Sequence, residues 1–146
     1  ALASLAAFLA CGGASDLPHS SQVTLTITPA IATIPVNGTV ELQGSAVGLS
    51  DPTLDWWQQD HHDQTGINGS QDCDYVKQVT PFIFSTCTAG YLTGPGMVNA
   101  ATSTEVYHAP STPGTYHVTL RVFQQSSQTW AEFFEKRTTA TITVTP

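Results

Sequence analysis

The residues best equipped for chemistry in this 146-residue chain stand together in "QQDHHDQTGINGSQDCD", where Asp60, His61, His62 and Asp63 are consecutive. Imidazole and carboxylate groups are competent metal ligands. Consecutive residues on a strand point to opposite faces, so these four converge on one ion only if a tight loop folds them together. HExxH, the EF-hand order of acidic residues, a separated histidine pair of diagnostic spacing and CxxC are all absent. The expectation is therefore no metal: Asp60, His61, His62 and Asp63 are the candidate ligands, and a solvated polar loop is the competing reading that prevails.

Hydrolytic chemistry has less support. Serine, histidine and aspartate are plentiful, but there is no GxSxG elbow, and abundance alone does not build a triad. Asp51, Asp55, Asp60, Asp63, Asp72 and Asp74 fall in one region with no Lys or Arg among them. Paired carboxylates serve glycoside hydrolysis, yet a run of this kind reads as an acidic loop or end of the domain. No catalytic residue and no cofactor is assigned, and the chain is expected not to be an enzyme.

Lys77, Arg121, Lys136 and Arg137 are the only Lys or Arg residues, and the formal net charge is −7. Nucleic acid is excluded as a partner, because binding it needs clustered cations to neutralise phosphates. A polybasic patch for anionic lipid is missing as well. Charged residues make up 10% of the chain, against roughly 25% in ordinary domains. Thr, Ser and Gln supply the polarity, which suits the exposed faces of strands in an extracytoplasmic protein.

Of the three cysteines, Cys73 and Cys87 read as a disulfide pair. A bridge there closes a loop of about 15 residues and contributes roughly 3 kcal/mol in the chain-entropy view. Cys11 stands apart, after "ALASLAAFLA", ten apolar or small residues without a charge. That run has the length and composition of a signal-peptide core. Phe8-Leu9-Ala10-Cys11 resembles the lipobox of bacterial lipoproteins: Ala10-Cys11 matches, and Phe8 and Leu9 depart from the usual pattern. The resemblance implies covalent lipid on Cys11, with "GGASDLPHSSQ" as a tether.

The elements that must position these groups follow a period of two. "VTLTITP" sets Val23, Leu25 and Ile27 on one face and Thr24, Thr26 and Thr28 on the other. "TVELQGSAV" repeats this with Val40, Leu42, Gly44 and Ala46, after the Asn37-Gly38 turn signal. "LDWW" turns Leu54 and Trp56 inward and Trp57 outward; "TYHVTLRVF" aligns Tyr116, Val118, Leu120 and Val122 against His117, Thr119 and Arg121. "TATITVT" places Ala140, Ile142 and Val144 on one side. Short strands punctuated by Pro, Gly and Asn predict an all-β sandwich.

"LTITPAIATIPVNGTVELQGSAVG", "LDWW", "VYHAPSTPGTYHVTLRV" and "TATITVTP", in that order, resemble a bacterial immunoglobulin-like (Big-type) domain. The resemblance spans most of Val23 to Pro146. It implies that Trp56 is the core tryptophan, Tyr116 the tyrosine corner, and Val118 the occupant of the position where antibody domains carry their second core cysteine. The division it suggests is residues 1–21 as signal or anchor segment and tether, and residues 22–146 as the sandwich.

Two stretches exceed that pattern. An insert at about residues 58–104 carries the cysteine pair and "YVKQVTPFIFSTC", whose Val79, Phe82, Ile83 and Phe84 need burial, and it reads as a disulfide-stapled hairpin or lobe. The last hairpin adds Phe123, Trp130, Phe133 and Phe134, which with Trp57 are candidate partner contacts. Trp57 and Tyr91 have the character of sugar-stacking platforms, and packing of the insert against the sheet is the competing reading that prevails. Asn37-Gly38-Thr39 and Asn68-Gly69-Ser70 match glycosylation sequons and also read as turns. His108 and His117 are expected on exposed or half-exposed strand faces.

These features predict a non-enzymatic structural or accessory subunit, extracytoplasmic and bacterial, periplasmic or at the cell surface. It would be attached to a membrane or assembly through its N-terminus and would contact protein partners in a membrane complex or homo-assembly. A filament or surface-array subunit using strand addition, and a carbohydrate-binding or adhesive module, are the alternatives.

Overall fold

The computed structural model describes residues 17–60, 87–127 and 133–146. After a short 3-10 turn at Ser20–Gln22 come nine strands: β1 (Thr24–Thr28), β2 (Ile31–Pro35), β3 (Thr39–Val47), β4 (Thr53–Gln58), β5 (Tyr91–Thr93), β6 (Met97–Val98), β7 (Thr102–His108), β8 (Gly114–Gln125) and β9 (Phe133–Thr145). They form a four-stranded sheet, β1-β3-β7-β5, and a five-stranded sheet, β2-β9-β8-β4-β6. Every pairing is antiparallel except β2 with β9. Two packed sheets with this split of strands, and a first strand divided between them, make an immunoglobulin-like sandwich. Among the described residues no helix is long and apolar enough to cross a membrane.

Alternation drives the assembly. Leu25 and Ile27 of β1, Leu42 and Ala46 of β3, Leu54 and Trp56 of β4, Val118, Leu120 and Val122 of β8, and Ala140, Ile142 and Val144 of β9 all turn into one core. Trp56 is its largest member, and its indole N–H donates to Ser103 Oγ at 3.0 Å. Gly44 lies against the Trp56 ring and Leu120, where a side chain has no room. The Tyr116 hydroxyl donates to the Thr112 carbonyl at 2.9 Å, the back-bond of a tyrosine corner. Val118 is fully buried. Trp56 and Val118 thus lie within the core, and Tyr116 packs partly buried against it.

Between β1 and β2 the chain changes sheets at the Thr28–Pro29 cis bond. Strand β2 was not foreseen from the sequence, because its pairing is with β9, over a hundred residues away, and not with a neighbour. The Asn37-Gly38 turn is formed: Asn37 has a φ of 59° and the Gly38 N–H donates to the Pro35 carbonyl at 2.9 Å. Lys136 fastens the lead-in of β1 to β9, its ammonium donating to the carbonyls of Val23 and Ser20 at 2.6 and 3.1 Å.

The region read as an insert at about 58–104 is partly sandwich. Gln58 ends β4, and β5, β6 and the start of β7 pair within the two sheets. Strand β5 extends the four-stranded sheet and β6 the five-stranded one, so Gly94-Pro95-Gly96 crosses between layers. The apolar residues Val79, Phe82, Ile83 and Phe84 lie outside the described residues, as do the N-terminal run, Cys11, Cys73 and the Asn68 sequon.

Candidate interaction face

Strands β9, β8, β4 and β6 bring a set of large side chains onto the outer face of the five-stranded sheet. The register aligns Arg137, Arg121, Asp55 and Met97 in one row across the strands. A second row holds Glu135, Phe123 and Thr53, and a third holds Thr139, Thr119 and Trp57. Phe133 continues the same face of β9 opposite Gln125. Their inward neighbours, Leu54, Trp56, Val122 and Ala140, are buried, which fixes the outward set by alternation.

Arg121 organises the face. Its guanidinium donates to Asp55 Oδ2 at 2.6 Å and lies 3.7 Å from Glu135 Oε2, while its carbon sits 5.0 Å from the Phe123 ring centroid and 5.9 Å from that of Trp57. Arg137 binds Glu135 at 2.5 Å and stands over Trp57 at 5.3 Å. Trp57 is thus contacted by two guanidinium groups, each oriented by carboxylates. Thr119, packed beside them, donates to Gln59 Oε1 at 2.7 Å and shares a 3.0 Å contact with the Thr139 hydroxyl. Phe133 and Met97 flank this centre with 63% and 58% of their surface exposed.

Aromatic, Met and Arg side chains make up much of this face. Aromatic residues, Met and Arg are the types enriched at protein interfaces and at their energetic centres. Holding the arginines in place before binding lowers the ordering cost of association. With both guanidiniums already matched to carboxylates, the face offers no free cation cluster for phosphates.

Of the predicted contacts, the structure brings Trp57, Phe123 and Phe133 together on this face. Phe134 is corrected: it points inward, 7% exposed, as a member of the core. Adjacent strand residues face opposite ways, so Phe133 and Phe134 cannot both be offered to a partner. Trp130 lies outside the described residues. Met97 was missed, since a two-residue strand leaves no periodic trace in sequence.

The acidic-histidine run is represented by Asp60 alone; His61, His62 and Asp63 lie outside the described residues. Asp60 accepts the His117 backbone N–H and sits 3.1 Å from His117 Nδ1. With Gln59 N–H donating to the His117 carbonyl at 2.9 Å, this continues the β4 to β8 pairing beyond Gln58. Its carboxylate is engaged in structure. Among the described residues no group of three His, Cys, Asp or Glu side chains is placed to hold a metal.

His108 stacks on Tyr91, with ring centroids 4.3 Å apart and planes 6° from parallel, and its Nε2 meets Thr93 Oγ1 at 2.9 Å. Burial lowers the His108 pKa. The pair borders a cleft of about 360 Å³ with Asn37, Gly90 and Ser111. A sugar stacking on Tyr91 would have to share that ring with His108, and one on Trp57 would compete with two arginines.

No protein-family model matches the chain, and no curated protein matches it in sequence. Among solved structures it is similar to murine CRIg, at 13% identity and a TM-score of 0.46, covering 85% of this chain and 98% of that one. A conjugate transposon protein (residues 27–141) from Bacteroides vulgatus is similar at 14% identity and a TM-score of 0.43, over 88% and 89% of the two chains. The ASH/PapD-like domain 7 of human CEP192 is similar at 13% identity and a TM-score of 0.45, over 99% and 98%. The sandwich assignment rests on the strand pairing itself.

Proposed function

We propose that the chain is a non-enzymatic accessory domain that docks a protein partner on the outer face of its five-stranded sheet. The observation that carries this reading is the convergence of Trp57, Phe123, Phe133 and Met97 around two carboxylate-held arginines. The reading includes a bacterial, extracytoplasmic location and attachment to a membrane through residues 1–21, with lipid on Cys11. It also includes a Cys73–Cys87 bridge that staples the segment between β4 and β5. Supporting the bridge, Cys87 is buried and in disulfide form. Supporting the location, Thr, Ser and Gln supply the polarity of a chain that is only 10% charged, and a lipobox-like sequence precedes the tether.

The test is site-specific photo-crosslinking in cells that make the full chain. A photoreactive residue at Phe133 or Met97 should trap one defined protein, and the adduct should disappear with Trp57→Ala. The same residue at Thr26, on the opposite sheet, should trap nothing comparable. Equal adducts from Thr26, or none from the face, would overturn the proposal.

Assembly of copies by strand addition is the second reading, and one observation favours it. Strand β2 lies at the edge of its sheet, with Ile31 exposed over 77% of its surface. An open edge of this kind can accept an extended segment through main-chain hydrogen bonds.

A further inference from the structure

Glu105 occupies a position where an apolar residue belongs. On β7 the inward series is Ser103, Glu105 and Tyr107, and Glu105 is 0% exposed opposite Leu42 of β3. Its Oε1 accepts the Gly96 N–H at 2.6 Å. Its Oε2 is buried with no hydrogen-bond partner among the described residues. Pro95, in the middle of the crossing loop, has no N–H to offer.

No cation faces this carboxyl from the described elements packed around it. On its own strand, Tyr107 points inward but donates its hydroxyl to the Ala89 carbonyl at 2.7 Å, and His108 is on the outer face with Tyr91 of β5. Glu41 of β3 is exposed on the outer face. Asp55 of β4 is outward and paired with Arg121. Burial accordingly raises the Glu105 carboxyl to about 7, with the Gly96 hydrogen bond pulling the other way.

Among the described residues, the crossing loop lies directly against this group. Gly94 and Pro95 are exposed, and a Cβ at Gly94 would clash with the Glu105 carboxyl, 2.6 Å from Oε1 and nearer still to Oε2. The loop leads directly into β6, a two-residue strand that places Met97 at the edge of the interaction face.

We propose that Glu105 is a proton-operated latch on the segment Gly94–Val98: neutral, it holds the loop closed over the core, and ionised, it admits water beneath Gly94 and releases β6. Met97 leaves its register opposite Asp55 when the latch opens. The latch is a property of the isolated chain, and only its effect on docking rests on the proposed interaction face.

Hydrogen exchange on the full chain tests it, read as protection factors so that the intrinsic pH dependence of exchange cancels. Protection at Gly96 should fall by about tenfold per pH unit between the ordinary carboxyl range and pH 7, then level off. Leu120, in the centre of the sandwich and opened only by global unfolding, should stay better protected than Gly96 at every pH. Glu105→Gln retains the acceptor for Gly96 and should hold protection constant with pH. Flat protection in the unaltered chain, or the same fall in Glu105→Gln, overturns the latch. Should that variant fail to fold, the carboxyl carbon of Glu105 in the isotope-labelled natural chain decides: titration near 7 together with the Gly96 change supports the latch, and titration in the ordinary carboxyl range refutes it. Crosslinking from Phe133 is unaffected by either outcome, so failure of the latch and failure of the docking face are separable.

Discussion

Replacing Gly44 with alanine adds one methyl group to the most crowded point of the core, and its effect can be worked from the contacts. A Cβ built there lies 2.6 Å from both Leu120 Cδ2 and Trp56 Cζ2. Carbon atoms settle at about 3.5–4.0 Å, so each neighbour must retreat by roughly 1 Å. Leu120 is fully buried on β8 and has nowhere to go without displacing other core side chains. The indole of Trp56 can move only by stretching its 3.0 Å hydrogen bond to Ser103. Overpacking of this kind costs about 1–3 kcal/mol, and loss of the indole bond adds about 1 kcal/mol. Alanine returns roughly 0.5–1 kcal/mol through lower backbone freedom in the unfolded chain. The balance is a destabilisation of about 2 kcal/mol. Urea unfolding followed by tryptophan fluorescence measures it, with the slope unchanged and the midpoint lowered. A variant as stable as the natural chain would refute the packing account of Gly44.

Tyr116→Phe removes the hydroxyl that donates to Thr112 and should lower stability by about 1 kcal/mol in the same assay, with no change in fold by circular dichroism. Global stability should also decline as pH rises toward 7, because the folded chain holds a proton on Glu105 that the unfolded chain gives up at the ordinary carboxyl value. The full difference is up to about 3 kcal/mol, and Glu105→Gln should abolish it. His108 has the opposite sign: its lowered pKa gives stability that is present above the ordinary histidine value and lost as pH falls. Subtracting the pH profile of Glu105→Gln from that of the natural chain cancels the histidine and isolates the carboxyl.

How far the sequence reaches depends on which residues do the pairing. Strands β1, β3, β4 and β8 have local alternation that survives to the structure, and the inward and outward sides of Leu54, Trp56 and Trp57 could be read directly. Strand β2 could not, since its parallel register with β9 is a long-range choice. The residues of the proposed face, Trp57, Phe123 and Phe133, are individually legible, but their sharing of one sheet face is not. What joins them is the alignment of β9, β8 and β4, which places Arg121 between the aromatics. Glu105 left a faint sign: in "TSTEVYH" it falls in the same alternating series as Tyr107, the series that turns inward. Its partner, the Gly96 N–H, becomes apparent only once the loop between sheets is in place.

The parallel pairing of β2 with β9 has a mechanical consequence. Ile31 to Pro35 run alongside Thr141 to Thr145 in the same direction, so opposing pulls at the upstream end of β2 and the downstream end of β9 slide the two strands past each other. The rungs of that ladder then carry load together instead of opening one after another, as they do when an antiparallel hairpin is peeled from its end. A domain tethered on one side and gripped by a partner on the other would meet tension with its most resistant geometry.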